Sequence, residues 1–373
     1  MKIALLVSSM NAGGAERVAA TLCNAWASQG HHVLLMPTYP VKGHSFYPLA
    51  SNVRVEWLAD RLGAGARSWR SPFLKLCQMR RFVSDEQPDV VVSFLTNVNV
   101  MTLLATWGLT VPVVVCERTN PAFSDSSGPV LSMLRRWLYR RAAAVCVQTQ
   151  ATASAFAQMV PHMPSLDVLP NPMPPELDGM ALSSLMPDDS GRFRLVAMGR
   201  FMPNKQFDRL IDMFSRIHTD FPQWDLYIFG DGPMREGLEL KVQQMELSGR
   251  VHMPGRTTSP WIELQKASAF VMTSSVEGFP NVLLEAMALG LPAVVYDCPS
   301  GPRELTEDGQ HAVLVALGDE DKFVAGLRTL LGDAAQRQKL GKVAAQSVRA
   351  RFSLPAVVKQ WGGVLSRVTK HND

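Results

Sequence analysis

The chain alternates between short, nearly continuous apolar runs and longer stretches in which apolar residues recur every three or four positions. A short run rich in Val, Ile and Leu predicts a buried strand, whereas the longer spacing predicts a helix with one packed face. In the first half, strands are predicted at residues 2–8, 32–37, 89–94, 112–117, 144–149 and 166–169, and helices at residues 15–29, 72–84, 130–141 and 149–159. Strands that lack polar alternation and are separated by helices indicate a parallel sheet covered on both faces.

A proline-rich segment interrupts the pattern before it resumes. Its prolines are Pro161, Pro164, Pro170, Pro172, Pro174, Pro175 and Pro187. The second half predicts strands at residues 193–198, 225–229, 251–253, 269–273 and 293–296, helices at 207–219, 234–247 and 281–289, and a helical tail from residue 319 to about 368. The pattern therefore predicts an α/β protein with two Rossmann-like, doubly wound domains whose strand ends face a cleft. The predicted boundaries are a first domain at 1–170, a linker at 171–190, a second domain at 191–352 and a C-terminal helix at 353–373.

The composition indicates folded domains and favours a location in the cytoplasm. The 373 residues are 47% hydrophobic and 19% charged, enough apolar material for two cores and too much for a disordered chain. The five cysteines form no CxxC pair, which favours free thiols in a reducing cytoplasm over a zinc site. The first apolar stretch is too short for a signal peptide, and no window reaches the roughly 18 apolar residues of a membrane helix. A soluble or peripheral protein is expected.

Positive charge is concentrated in the first half, although the net charge is only +4. Two acid-free stretches, residues 61–84 and 126–166, carry Arg61, Arg67, Arg70, Lys75, Arg80 and Arg81, and Arg135, Arg136, Arg140 and Arg141. This asymmetry indicates a negatively charged partner for the first half. The predicted basic helix at 72–84, preceded by Trp69, either lies on an anionic membrane or packs Phe73, Leu76 and Met79 into the core.

Two loops at predicted strand ends suit phosphate groups. Gly13 and Gly14 follow the first strand, where helix amides and a close backbone approach favour an anion, and a plain strand–helix turn is the alternative. The GxGxxG fingerprint is missing, which argues against a dehydrogenase. In the second half, Arg200 and Lys205 share the loop after a strand and either clamp a diphosphate or remain solvated.

The segment at residues 275–292 carries the most specific signal. Its sequence is SVEGFPNVLLEAMALGLP, a turn with Gly278 and Phe279 that leads into a helix with Pro280 at its start. Glu285 lies in an otherwise apolar helix, so its carboxylate needs a partner such as a ribose diol. Glu277 lies on the turn itself, within reach of the hydroxyls of a bound sugar.

These motifs together resemble the retaining glycosyltransferases of GT-B fold known as family 4. The resemblance rests on the E-x7-E spacing of Glu277 and Glu285, the Gly13–Gly14 loop, the "GRFMPNK" loop and the "FGDGP" turn. It implies that Arg200 and Lys205 clamp the donor diphosphate and Gly13 and Gly14 approach it from the other domain. It further implies that Glu285 binds the ribose, Glu277 binds the C3 and C4 hydroxyls of the donor sugar, and the loop with Arg256 reads the nucleobase. The first domain would bind the acceptor, and the C-terminal helix would cross back to it.

One string departs from the family pattern. Many members carry a His where this chain has Glu117, Arg118, Thr119, Asn120 and Pro121. The ER-x-N-P string resembles a bacterial subgroup that extends polyprenyl-diphosphate-linked oligosaccharides, often with N-acetylgalactosamine. The resemblance places Glu117 or Arg118 at the reaction centre and Arg118 and Asn120 at the acceptor. A buried salt bridge at a strand end is the alternative.

The resulting hypothesis is a UDP-sugar-dependent hexosyl- or N-acetylhexosaminyltransferase acting on a lipid-linked glycan in bacterial surface polysaccharide or glycoprotein glycan assembly. It would work peripherally on the cytoplasmic membrane face, at an anionic surface, without metal, cofactor or nucleic acid. Asp319 and Asp321 match a metal-binding DxD string, but their position at a predicted helix start favours a capping role. A UDP-N-acetylglucosamine epimerase and a catalytically silent UDP-sugar-binding protein are the competing hypotheses.

Overall fold

The computed structural model describes residues 1–39, 43–62, 71–123, 128–160 and 163–370. It divides into two compact units: unit 1, Met1–Pro172 with Leu354–Asp373, and unit 2, Met173–Ser353. Arg67, Trp69 and Arg70 of the predicted basic region, and Pro161 of the proline-rich segment, lie outside the described residues. Within the described residues, no helix combines the length and the apolar character needed to cross a membrane.

Unit 1 contains a parallel sheet with helices on both faces. Its elements up to the proline-rich segment are β1 Lys2–Val7, α1 Gly14–Ser28, β2 His32–Pro37, β3 Val53–Val55, α2 Leu58–Leu62, α3 Ser71–Glu86, β4 Val90–Phe94, α4 Thr96–Ala105, β5 Val113–Cys116, α5 Pro129–Leu138, β6 Ala144–Val147, α6 Gln150–Met159 and β7 Leu166–Val168. The strands run in the order β3-β2-β1-β4-β5-β6-β7. Each neighbouring pair is parallel.

Unit 2 repeats the same architecture with a smaller sheet. Its elements are β8 Phe193–Met198, α7 Phe207–Ser215, β9 Trp224–Phe229, α8 Arg235–Gln244, β10 Val251–Gly255, α9 Pro260–Gln265, β11 Ala269–Met272, α10 Asn281–Ala288, β12 Ala293–Asp297, α11 Pro302–Leu305, β13 Val313–Ala316, α12 Glu320–Gly332 and α13 Ala334–Phe352. The parallel strands run in the order β10-β9-β8-β11-β12-β13. The prediction of an α/β chain with two doubly wound, Rossmann-like units is confirmed.

The alternating sides of a strand explain why each sheet needs two layers of helices. In β1, Ile3 and Leu5 pack into one core with residues of α1, while Ala4 and Leu6 pack into the opposite core with residues of α3 and α4. All four are fully buried. The absence of polar alternation in the sequence therefore reflects burial on both faces of the sheet.

The last described helix, α14 Leu354–Lys370, belongs to unit 1. Its Trp361 ring meets Trp26 of α1 edge to face, with centroids 5.5 Å apart, and lies 6.4 Å from the ring of Phe94 in β4. All three rings are buried in the same core. Unit 1 is therefore assembled from two segments that are separated in the sequence by the whole of unit 2.

Six of the elements given above were absent from the sequence prediction: β3, α2, α4, α9, α11 and β13. β3 and β13 are edge strands of three and four residues, too short for a period to be recognised. Helix α4 has the sequence TNVNVMTLLA, in which Thr, Val and Asn have poor helix propensity. Burial in the core stabilises α4 in spite of that propensity.

Candidate active site

The strand order of unit 2 identifies a natural ligand crevice. Chain order and spatial order diverge on either side of β8, which pairs with β9 on one edge and β11 on the other. Ligands of open parallel sheets bind outside the carboxyl ends of the strands at such a switch point. The loops after β8 and β11 carry Arg200, Lys205 and Glu277 of the predicted donor site.

Hydrogen bonds to backbone carbonyls join these two loops. The hydroxyl of Thr273 donates to the carbonyl of Lys205 over 2.8 Å, and the amide of Ser275 donates to the carbonyl of Asn204 over 2.8 Å. Gln206 closes the first loop with φ of 51°, a left-handed conformation. The position of Lys205 is thus set by the loop that precedes Glu277.

Lys205 and Glu277 form an ion pair. The Nζ atom of Lys205 donates to Oε1 of Glu277 over 2.5 Å, and the two side chains are 22% and 13% exposed. Arg200 lies on the same loop and is exposed. One loop therefore carries two cations, Arg200 and Lys205. Lys205 is already paired with Glu277, the first carboxylate of the E-x7-E motif.

The "FGDGP" turn packs against the loop after β8, and its two glycine positions have no room for a side chain. A Cβ atom on Gly230 would lie 1.8 Å from the carbonyl oxygen of Gly199, and one on Gly232 would lie 2.6 Å from that of Phe201. Both glycines have positive φ, 149° and 156°. The two glycines of the motif are required by close backbone approach.

The turn with Gly278, Phe279 and Pro280 is packed against a second loop, Cys298 to Gly301, that sequence reasoning missed. A Cβ atom on Gly301 would lie 2.3 Å from Cδ of Pro280, and the φ of Gly301 is 111°. The amide of Glu277 donates to the carbonyl of Pro299 over 3.4 Å. Burial, together with the charge of Glu277, raises the pKa of Cys298 to about 12. The only sequence signal for this loop was its Pro-Ser-Gly-Pro string after a strand.

Glu285 is 2% exposed on α10, and its carboxylate has an aromatic donor. The indole Nε1 of Trp261 on α9 donates to Oε2 of Glu285 over 3.1 Å. Helix α9 was not predicted, so no sequence pattern associated Trp261 with Glu285. The indole fixes one oxygen of the carboxylate and so orients the other.

Arg256 lies directly after β10, next to Gly255, whose φ is 91°. Its side chain is 73% exposed, and its Nε lies 3.9 Å from Oδ2 of Asp231. The side chain is an exposed cation at the edge of the unit 2 sheet, at the strand end where the resemblance puts a nucleobase loop.

In unit 1, the Gly13–Gly14 turn is already occupied by a carboxylate. The Oε2 atom of Glu16 lies 2.3 Å from where a Cβ of Gly13 would be, and Oε1 accepts a hydrogen bond from Ser9 over 2.9 Å. The amide of Gly13 donates to the hydroxyl of Tyr47 over 3.2 Å. A phosphate at this helix start would have to displace Glu16, because both are anionic.

Glu117 follows β5 and is 2% exposed. Its carboxylate accepts hydrogen bonds from Tyr139 over 2.5 Å and from Thr96 over 2.8 Å. Asn99 donates to the hydroxyl of Tyr139 over 2.9 Å and completes a buried network. Burial raises the pKa of Glu117, while the hydrogen bonds oppose that shift. Thr96 and Asn99 lie on α4, the helix missing from the prediction.

Arg118 makes different contacts from those of Glu117. Its guanidinium stacks over the ring of Phe94 at 3.6 Å, and its Nη1 donates to Oδ1 of Asn171 over 2.8 Å. Its Nε and Nη2 atoms are buried and make no hydrogen bond within the described structure. Burial lowers the pKa of Arg118. Asn120 accepts a hydrogen bond from the amide of Ala122 over 3.0 Å and so shapes the turn that follows.

The acidic string at the start of α12 has ordinary structural roles. Asp319 accepts a hydrogen bond from the amide of Lys322 over 3.0 Å as the N-cap. Glu320 and Asp321 pair with Arg209 at 2.8 Å and Arg216 at 2.6 Å. Across the described ranges, no three His, Cys, Asp or Glu side chains are grouped as a metal site would require.

Two family models match the chain. Residues 187–347 match the model described as glycosyl transferases group 1, and residues 13–172 match the one described as glycosyl transferase 4-like domain. The first match lies within unit 2 and the second within unit 1. Each unit therefore corresponds to one recognised domain.

Curated relatives and solved structures agree with these matches. The chain is 26% identical over 370 residues to the GalNAc-α-(1→4)-GalNAc-α-(1→3)-diNAcBac-PP-undecaprenol α-1,4-N-acetyl-D-galactosaminyltransferase of Campylobacter jejuni, and the match covers 99% of each protein. It is also 26% identical over 406 residues to an exopolysaccharide phosphotransferase of Streptomyces coelicolor, of which the chain spans 41%. The crystal structure of Anabaena HepE in complex with UDP has a TM-score of 0.78 at 19% identity, covering 98% of this chain and 100% of that chain.

Proposed function

Because the chain belongs to the GT-B glycosyltransferases that combine a group 1 domain with a 4-like domain, we propose that it transfers a hexosyl or N-acetylhexosaminyl group from a UDP-sugar to a polyprenyl-diphosphate-linked glycan. The transfer retains the α configuration and belongs to bacterial surface polysaccharide or glycoprotein glycan assembly. The single observation that carries the proposal is the Lys205–Glu277 pair at the switch point of the unit 2 sheet. The undecaprenol-linked substrate in the name of the C. jejuni relative supports the choice of acceptor.

The donor diphosphate is assigned to Arg200 and Lys205. Two cations on one loop neutralise the charge that grows on the departing diphosphate, a function that fixed positive groups perform well in a site shielded from water. When a diphosphate binds, the Lys205 ammonium exchanges part of its contact with Glu277 for phosphate oxygens. Glu277 is then released to accept hydrogen bonds from the hydroxyls of the donor sugar.

The nucleoside end of the donor is assigned to Glu285, Arg256 and the amides of Gly278 and Phe279. Glu285 binds the ribose hydroxyls through its carboxylate, which the indole of Trp261 orients. Arg256 is exposed and long enough to contact a base or a phosphate. The turn before α10, held by Pro280 and Gly301, keeps Glu277 and Glu285 at a fixed separation.

The acceptor is assigned to unit 1. Among the described residues, the buried Nε and Nη2 atoms of Arg118 have no hydrogen-bond acceptor, and a phosphate oxygen of the lipid-linked glycan is assigned to them. Asn120 shapes the adjacent turn. Glu117 is assigned a positioning role, because its carboxylate is enclosed by Tyr139 and Thr96. A lipid-linked acceptor also places the enzyme at the cytoplasmic face of the membrane.

The proposed reaction is a front-side substitution, the route that the family implies. The bond between the anomeric carbon and the UDP oxygen breaks while the acceptor hydroxyl oxygen bonds to the same face of that carbon. The hydroxyl proton passes to the departing diphosphate, which leaves as UDP. Arg200 and Lys205 stabilise the diphosphate, so the proposal includes neither metal nor cofactor.

The test is an acceptor-dependent release of UDP. Purified protein is incubated with individual UDP-sugars, with and without a polyprenyl-diphosphate glycan, and the products are identified by mass spectrometry and by the anomeric coupling constant in NMR. We expect UDP release to increase strongly with acceptor and the new linkage to be α. Conversion of the UDP-sugar to its epimer without acceptor would favour an epimerase, and UDP-sugar binding without release of UDP would favour a silent binding protein.

A further inference from the structure

Helix α5 of unit 1 exposes apolar and basic side chains along one stripe. Met133 and Trp137 are 64% and 55% exposed, and Arg136 and Arg140 are exposed beside them. Met133, Arg136 and Trp137 recur every three or four residues and therefore share one side of the helix, and Arg140 lies in the 3-10 turn Tyr139–Arg141 that follows. The opposite side packs Leu138 into the core. The helix thus presents large apolar groups to solvent, where an isolated globular domain gains nothing from them.

Trp107 and Arg141 extend this stripe into one surface. The rings of Trp107 and Trp137 lie with centroids 5.3 Å apart, and the Arg141 guanidinium stacks 3.8 Å above the Trp107 ring. Arg80 donates to the backbone carbonyl of Trp107 over 2.6 Å and holds that segment in place. We name this surface the α5 face; it consists of Trp107, Met133, Arg136, Trp137, Arg140 and Arg141.

We propose that the α5 face docks on an anionic lipid bilayer, with Met133 and Trp137 inserted at the level of the headgroups and the three arginines paired with lipid phosphates. Tryptophan prefers the membrane interface because it has an apolar ring and a polar N–H. Arginines flanking such rings are attracted to anionic headgroups. The sequence between residues 126 and 166 contains no acidic residue that would oppose them.

The positive charge of the α5 face also argues against a second copy of the chain as its binding partner. In a two-fold symmetric dimer the same patch meets itself, so Arg136, Arg140 and Arg141 of one copy would face their own equivalents. Like charges brought together in this way are repelled, whereas an anionic membrane neutralises all three. The bilayer is therefore the surface that matches both the apolar and the charged parts of the α5 face.

This proposal names the membrane surface of the proposed transferase, but its test does not involve the sugar nucleotide or the acceptor. Full-length protein is sedimented with vesicles of phosphatidylglycerol and phosphatidylcholine, and with vesicles of phosphatidylcholine alone. The charge variant is Arg136→Gln/Arg140→Gln/Arg141→Gln, and the apolar variant is Met133→Ser/Trp137→Ser. The matched control, Arg209→Gln/Arg216→Gln/Arg328→Gln, removes the same charge from exposed arginines of unit 2.

We expect wild type and the control to bind the anionic vesicles alike. One arginine near an anionic surface contributes about 1 kcal/mol, about fivefold in partitioning, so the charge variant should bind on the order of a hundredfold more weakly. The apolar variant should lose at least about tenfold while its thermal unfolding stays that of wild type.

Wild-type binding by both α5 variants would overturn the proposal. So would loss of binding with Lys75→Gln/Arg81→Gln on α3 in their place, because the contact would then belong to the basic helix. A change in oligomeric state of the apolar variant without a change in vesicle binding would point to a second copy and overturn it as well. Failure of the transferase proposal would appear as absent UDP release and leave these binding data unchanged.

Discussion

The hydrogen bond between Trp261 and Glu285 gives the sharpest prediction about the donor site. Replacing Trp261 with Phe keeps an aromatic ring but removes the N–H that contacts Oε2 of Glu285 at 3.1 Å. Glu285 is 2% exposed, so the lost contact lies in a buried environment. If Glu285 binds the ribose, the change should weaken the binding of any uridine nucleotide.

The expected loss of UDP affinity follows from the strength of this hydrogen bond. A hydrogen bond to a charged group contributes about 1.5–3 kcal/mol, and Trp261 is only partly buried, so water can replace some of the lost contact. The lower end of that range, about 1.5 kcal/mol, corresponds to roughly tenfold. We therefore expect the Kd for UDP and the KM for the donor to rise about tenfold. The kcat should change little, because ribose contacts are the same in the ground state and the transition state.

Titration calorimetry with UDP on Trp261→Phe, Glu285→Gln and the double variant measures the coupling between the two residues. Glu285→Gln should weaken binding more than Trp261→Phe, and the double variant should be little worse than Glu285→Gln alone. Trp224→Phe is the matched control, since the buried Nε1 of Trp224 has no hydrogen-bond partner in the described part of unit 2. Wild-type UDP affinity in Trp261→Phe, or strictly additive effects in the double variant, would refute the reasoning.

Three further predictions concern the two units. Lys205→Ala should remove about 2–4 kcal/mol of transition-state stabilisation, measured from the fall in kcat/KM. Glu277→Gln should lower kcat by roughly tenfold to a thousandfold with UDP affinity nearly unchanged. A Glu277→Gln protein that no longer binds UDP contradicts the assignment. Turnover should survive excess EDTA, and a loss that manganese restores would return Asp319 and Asp321 to consideration. Burial raises the pKa of Glu117, so the folded chain holds a proton that the unfolded chain has released above the ordinary carboxyl range. The stability from this site is present at acidic pH and is lost as pH rises above the ordinary carboxyl range, so the unfolding free energy of wild type minus that of Glu117→Gln should fall with rising pH in urea titrations; a difference that stays constant rules this out.

The proximity of Lys205 and Glu277 could be predicted from the sequence because of the sheet topology. Each follows a buried strand, and the carboxyl ends of neighbouring parallel strands lie at one edge of the sheet. The E-x7-E spacing then selected Glu277 among the residues of its loop. The pairing of the two side chains, as distinct from their proximity, required the structure.

The residues that sequence reasoning missed act through contacts between distant segments. Trp261 is 24 residues from Glu285, and Tyr139 is 22 residues from Glu117. No local periodicity reports such pairs, and the helices that carry Trp261 and Asn99 were themselves unrecognised. Propensity failed at α4 because its Val, Thr and Asn residues are stabilised by the surrounding core rather than by the helix itself.

The divided sequence of unit 1 has a consequence for synthesis. Residues 173–353 separate its two segments, and at about 5–20 residues per second their translation takes roughly 10–40 s. During that time the emerging unit has no Trp361 to cover Trp26 and Phe94, so an apolar face of its sheet stays open to water or to a chaperone. Unit 2 is complete at Ser353, before α14 has been made. Arrested nascent chains should therefore show protease protection of unit 2 ahead of unit 1, so that the domain translated second is the first to be finished.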